Sequence, residues 1–138
     1  MLINSQHAAE ILERELGVKP DSILKDKTYV LMPSEWYFKS PRWFRGFEYL
    51  EYVTDGNDCD DWQRTGREEF QRRFRKTKEV KQGGLPVFEL KVLTMANVCH
   101  AIMAVILPPN KRVIMIERVA DRIVQVPEVR EIYNVYPA

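Results

Sequence analysis

Neither sign of charge dominates this sequence. Its 138 residues carry 21 lysines and arginines against 20 aspartates and glutamates, a formal charge of +1, so no whole-molecule field draws it to nucleic acid or to an anionic membrane. No hydrophobic run approaches the length needed to span a bilayer. The opening "MLINSQHAAEILEREL" lacks the basic n-region and unbroken apolar core of a secretory signal. A cytoplasmic protein without a membrane partner is therefore expected. Cysteine is scarce: two residues without an export signal read as free thiols in a reducing compartment rather than a disulfide framework. There is no internal repeat and no low-complexity segment. Histidine is limited to His7 and His100, so chemistry that needs an imidazole has only two addresses.

What is present is a globular composition, 45% hydrophobic and 11% aromatic, at a length suited to a single domain over residues 1–138. In residues 1–17, Ala8, Ala9, Ile11, Leu12 and Leu16 fall at helical spacing, with Ser5 as N-cap and Gly17 as stop. "KTYVLMPSEW" reads as a strand ended by Pro33. The aromatic stretch "YFKSPRWFRGFEYLEYV", broken by Ser40, Pro41 and Gly46, reads as one or two short helices or an irregular flap. Residues 58–76 form a second helical pattern, with Cys59, Trp62, Gly66, Phe70 and Phe74 on one face. Gly66 costs that helix about 1 kcal/mol in propensity, which points to close packing there. After "KQGGLP", residues 86–126 are almost all strand material: "VFELKVLTM", "VCHAIMAVIL", "KRVIMIERV" and "DRIVQV". The short turns between them predict an antiparallel meander whose central strands are buried on both faces. Helices first and sheet second predict an α+β fold.

The segment "DGNDCDDWQRTGREEF" places Cys59 among Asp55, Asp58, Asp60 and Asp61, whereas Cys99 lies in an apolar run that suits a packing cysteine. If Asp58 caps the helix, Cys59 takes its first position, where unpaired N–H groups and the positive end of the macrodipole favour a thiolate. The flanking aspartates oppose this, so a nucleophile there needs an imidazole partner. His100 opens the most apolar strand. If "PPNK" closes a symmetric hairpin, paired positions sum to 219. Leu107 then faces Arg112, Ile102 faces Glu117, and Glu117 shares a face with His100 as its diagonal neighbour, about 5.5 to 8 Å away. A loop of odd length would reverse that parity. Cysteine, histidine and carboxylate in these places follow the logic of a nucleophile, base and orienting group, with Asp121 the alternative acid.

The order Cys, His, acid, with "NDCDDW" opening a helix, "HAIMAVI" on one strand, "VIMIERVADRIV" on the next and "YVLMPS" upstream, resembles the papain-like and transglutaminase-like cysteine peptidase superfamily. Within it, the sequence is most similar to the calcium-dependent protease domain at the C-terminus of a mushroom agglutinin and to small phage-encoded relatives. The likeness runs over roughly residues 27 to 126. Cys99 stands where the family has a small residue, and Arg118 and Val119 follow the Ile-Glu phrase where it has proline and a polar residue. The resemblance implies a papain-like fold, Cys59 as nucleophile, His100 as base and Glu117 as orienting acid. It also implies a peptide or protein substrate cleaved or transferred at an amide or isopeptide bond through a thioester.

Two further chemistries are weighed. Asp58, Asp60 and Asp61, with Asp55 and Asn57 beside them, offer hard oxygen ligands for Ca2+, although without EF-hand spacing, and no cofactor is required for the thiol chemistry itself. Zinc held by Cys59, Cys99, His100 and His7 is disfavoured, since adjacent strand residues point to opposite faces. Arg64, Arg67, Arg72, Arg73, Arg75, Lys76, Lys78 and Lys81, set against Glu68, Glu69 and Glu79, make the helix and the segment after it basic. That run solvates an outer face or, as the alternative function, makes the protein a non-catalytic module binding nucleic acid or an acidic protein.

Overall fold

The structure is a computed structural model. It describes residues 1–18, 27–38, 59–117, 122–124 and 129–136; for Phe38, residues 59–65, Glu117, residues 122–124 and Tyr136 it describes the backbone only.

The chain begins with a short strand, β1 (Leu2–Asn4), that leads directly into helix α1 (Ser5–Leu16). The cap is Asn4 rather than the expected Ser5: its Oδ1 accepts from the His7 N–H at 2.7 Å, and Ser5 becomes the first helical residue. Both residue types cap well, so composition alone did not separate them. Gly17 ends the helix as expected, at φ 75°, with its N–H donating to the Glu13 carbonyl at 2.8 Å. Strand β2 (Thr28–Val30) pairs antiparallel with β1. It is fixed from the other side by Gly84, which exchanges 2.8 Å backbone bonds with Thr28 and Val30. A Cβ on the preceding Gly83 would stand 2.5 Å from the Thr28 carbonyl oxygen, so only glycine permits this approach.

Helix α2 (Ser34–Phe38), helix α3 (Cys59–Phe74) and a 3-10 turn (Lys78–Lys81) precede the main sheet. That sheet holds β3 (Val87–Thr94), β4 (Cys99–Leu107), β5 (Arg112–Glu117), β6 (Arg122–Val124) and β7 (Val129–Tyr136), in the order β6-β5-β4-β3-β7. The expected antiparallel meander is β3 to β6. Beyond residue 126, β7 returns to the other edge of β3, with register shifts after Lys91 and Leu93.

Each face of the sheet has its own core, and strand alternation assigns them. Leu90, Val92, Ile102, Ala104 and Met115 meet Ala8, Ile11 and Leu12 of α1. Val87, Met103, Val105 and Ile116 meet Phe70 and Phe74 of α3 and Tyr37 of α2. With both faces covered, β4 is buried without interruption from Ala101 to Ile106, which is why its sequence is a continuous apolar run rather than an alternating one. Among the described residues no helix is long and apolar enough to cross a membrane.

Tyr37 is fully buried, edge-on to Trp36 at 5.0 Å and to Phe70 at 5.3 Å. Its hydroxyl has no hydrogen-bond partner among the described residues, and burial raises its pKa far above the tyrosine range. Tyr37→Phe is expected to stabilise the fold by about 1–3 kcal/mol, the cost of an unsatisfied buried hydroxyl. The pH dependence has a definite sign. A folded-state pKa raised above the unfolded value gives a contribution that is fully present below about pH 10 and lost as pH rises beyond it. Urea titrations at neutral pH and above pH 10 should show a steeper alkaline loss in the parent chain than in Tyr37→Phe.

Candidate active site

Cys59 is the first residue of α3, the position with unpaired backbone N–H groups and the positive end of the helix dipole. From the C-terminal end of α3 the chain passes through the 3-10 turn into the start of β3. Further back along the helix, Arg67 Nη1 lies 4.0 Å from Glu89 Oε2. Glu89 pairs with Met103, so α3 runs antiparallel to β3 and parallel to β4. From Arg67 back to Cys59 is about 12 Å of helix. From Glu89 to Leu93, the partner of Cys99, is about 13 Å of strand. The N-terminal end of α3 therefore reaches the level where β4 begins.

His100 is the second residue of β4, half-buried, and pairs with Val92. The β4–β5 ladder runs from Leu107 opposite Arg112 to Met103 opposite Ile116, which is the predicted register. The connection is Pro108, Pro109, Asn110 and Lys111, and Lys111 takes a left-handed φ of 56°. Position 117 alternates with Met115 and so falls on the same face as His100 and Ile102. Gly66, expected at a close contact, is buried.

The same register carries a finding that composition concealed. His100 and position 117 lie on the α1 face of the sheet, whereas α3 covers the other face. Cys59 and His100 can meet only at the margin of the sheet, where β4 starts. The residue of β4 on the α3 side there is Cys99. It is exposed rather than packed, because it opens the strand ahead of the buried run.

Of the proposed calcium ligands, Asp60 and Asp61 lie in the first turn of α3 with their side chains outside the described set. Asp58 lies outside it altogether, as does Asp121. Among the described residues no group of three or more His, Cys, Asp or Glu side chains could hold a metal ion. His7 lies 3.5 Å from Lys111 Nζ, beside the β4–β5 turn and at the opposite end of β4 from His100, so the two histidines do not converge.

Sequence reasoning missed the charged group between α3 and β3. Glu89 contacts Arg67 and lies 3.8 Å from Lys91. Nearby Lys27 sits over the Tyr29 ring at 5.2 Å, its pKa lowered by burial and then by the Arg67 charge. The alternation of "FELKV" put Glu89 and Lys91 on one face, but no local pattern names Arg67 as their partner. The basic run also divides. Arg72 binds Glu69 through two bonds of 2.6 and 3.1 Å. Arg73 stacks on Trp36 at 4.9 Å, and burial lowers its pKa against the opposing pull of Glu69. Arg75, Lys76, Lys78 and Lys81 face solvent.

No protein-family model and no curated protein matches the sequence. Among solved structures, the chain aligns with the Polyporus squamosus lectin, determined bound to the human-type influenza-binding epitope Neu5Aca2-6Galb1-4GlcNAc. The TM-score is 0.80 at 12% identity, over 98% of this chain and 49% of the lectin chain. It aligns with PSL1a in its E64 complex at a TM-score of 0.79 and 11% identity, over 98% of this chain and 51% of that one. The chain thus spans about half the length of either. The likeness is one of fold: N-terminal helices packed on an antiparallel sheet in the papain-like α+β arrangement.

Proposed function

We propose that the protein is a cysteine peptidase-like hydrolase, in which Cys59 attacks a peptide or isopeptide carbonyl with His100 as base and Glu117 as the group that orients it. The observation that carries this reading is the β4–β5 register, which brings His100 and position 117 to one face at the end of the sheet that the start of α3 reaches. The Cys59 thiolate adds to the carbonyl carbon, His100 returns a proton to the departing amine, and the resulting thioester passes to water or to a second amine. The Cys59 N–H, first in its helix, is a natural donor to the oxyanion. The E64 complex of PSL1a supports the reading, since E64 is an epoxide that alkylates thiols. Incubation of the full chain with E64 followed by peptide mapping tests it: a single adduct on Cys59 is expected, and no adduct, or one on Cys99, counts against it.

The acidic opening of α3 belongs to the same proposal as a Ca2+ site. Millimolar Ca2+ should raise the thermal midpoint of chelator-treated protein, because a ligand that binds only the native state stabilises it, by about 2.7 kcal/mol at one hundred times Kd. Mg2+, which demands tighter octahedral geometry, should do less. An unchanged midpoint with Ca2+ leaves the aspartates as capping and solvating groups.

A second reading, a non-catalytic binding module, is favoured by one specific observation: α3 and His100 address opposite faces of the sheet, while Arg75, Lys76, Lys78 and Lys81 are exposed together. Salt-dependent retention on immobilised nucleic acid or on an acidic protein, unchanged when Cys59 is blocked, would select it.

A further inference from the structure

The chain has two cysteines, and the fold brings both to one end of the layer between α3 and the sheet. Cys59 is the first residue of α3 and Cys99 the first of β4. The course of α3 along β3 and β4 carries its N-terminal end to the level at which β4 begins. On β4, Cys99 alternates with Met103 and Val105, which meet Phe70 and Phe74 of α3, and so belongs to the face that α3 covers. On α3, Cys59 stands two turns before Gly66 and three turns before Phe70, on the stripe of the helix that meets those strands.

A disulfide needs Cα atoms within about 7 Å, so the helix has to lie close to the strand at this end. The residues that set the approach are small on both sides. Gly66 is buried and has no side chain to hold α3 away, and Ala101, buried on the same face of β4, is all that separates Cys99 from Met103. The two thiols differ in character. Cys59, at the dipole-favoured start of its helix, is the one placed to ionise and to meet an oxidant first. Cys99 is exposed and free, which suits a resolving thiol beside a reactive one.

We propose that Cys59 and Cys99 form a reversible disulfide within one chain when the protein meets hydrogen peroxide. The Cys59 thiolate attacks one peroxide oxygen, the O–O bond breaks, and a sulfenic acid and hydroxide result. The Cys99 thiolate then attacks the Cys59 sulfur, the S–S bond forms and the sulfenic oxygen departs; with the two thiol protons, one peroxide is reduced to two waters. The bridge itself needs no hydrolase activity. Its consequence, a nucleophile withheld until a thiol reductant restores it, rests on the reading of Cys59 as nucleophile. Brief peroxide treatment of the reduced full chain at low protein concentration, capping with N-ethylmaleimide and non-reducing peptide mapping tests it. The expected result is a monomer lighter by two hydrogens, with the Cys59 and Cys99 peptides joined and both thiols recovered after dithiothreitol. In Cys99→Ser, an exposed position whose change should spare the fold, Cys59 should instead pass to sulfinic acid that dithiothreitol does not reverse. Cys59 over-oxidised in the parent chain while Cys99 stays free, linkage only between chains, or both thiols still open to capping overturns the switch. Peptidase activity is read separately: a chain that bridges without hydrolysing peptides loses the hydrolase reading alone, and one that hydrolyses without bridging loses the switch alone.

Discussion

His100→Ala is expected to lower turnover of a fluorogenic peptide or labelled unstructured protein by about 10²–10⁴-fold, the usual contribution of a positioned general base. The fold should survive, since His100 stands at the half-exposed start of β4, outside the continuously buried residues that follow it. Glu117→Gln should cost less, because a neutral amide still orients the ring but no longer stabilises the imidazolium. Asp121→Asn should change little. Steady-state kinetics with a circular dichroism check of each variant distinguish the outcomes. Full activity in His100→Ala would remove the base, and loss in Asp121→Asn with retention in Glu117→Gln would reassign the orienting acid.

The second large effect concerns the packing that holds α3 against the sheet. Phe70 is 1% exposed and meets Tyr37 edge-on at 5.3 Å and Trp36 at 6.5 Å. Phe70→Ala should cost about 3–5 kcal/mol, the range for emptying a buried aromatic site. Urea unfolding measures it through the midpoint at unchanged slope. Phe70→Leu, which keeps most of the apolar volume, should lose much less. A cost below about 1 kcal/mol for Phe70→Ala would mean that α3 does not depend on this core.

The sequence disclosed most where one physical constraint acted alone. β4 is buried on both faces, so its apolar run needed no partner to be recognised. The β4–β5 register followed from the length of the connection between two clear strands. Gly17 marked the end of α1 because an αL residue after a helix favours glycine. Other features depended on contacts that no local pattern carries. β1 has only three residues and is held by β2 across the intervening segment. In β7, "VREIYNVY" alternates charge and apolar residues irregularly because its pairing with β3 shifts twice. Asn4 displaced Ser5 as cap because β1 delivers the chain one residue earlier.

The candidate site divides along the same line. The shared face of His100 and position 117 was legible, since strand alternation and a four-residue turn determine it. The face covered by α3 was not, because it depends on Phe70 and Phe74 finding Val87, Met103, Val105 and Ile116 rather than on any spacing within 58–76. Cys99 was misread for a related reason. An apolar neighbourhood in sequence does not bury the first residue of a strand, and the exposed Val98 before it, at 56%, shows where the covered region stops.

The central claim is an activated thiol at Cys59, and the pH dependence of its alkylation tests that most directly. With iodoacetamide in limiting amount, the labelling rates of Cys59 and Cys99 would be followed by mass spectrometry between pH 5 and pH 9. An unperturbed thiol ionises near 8.5, roughly, and only the thiolate reacts. Cys59 should keep reacting well below neutral pH and outpace Cys99 there, and His100→Ala should bring the Cys59 profile toward that of Cys99. Coincident profiles for the two cysteines, unaffected by His100→Ala, would contradict it.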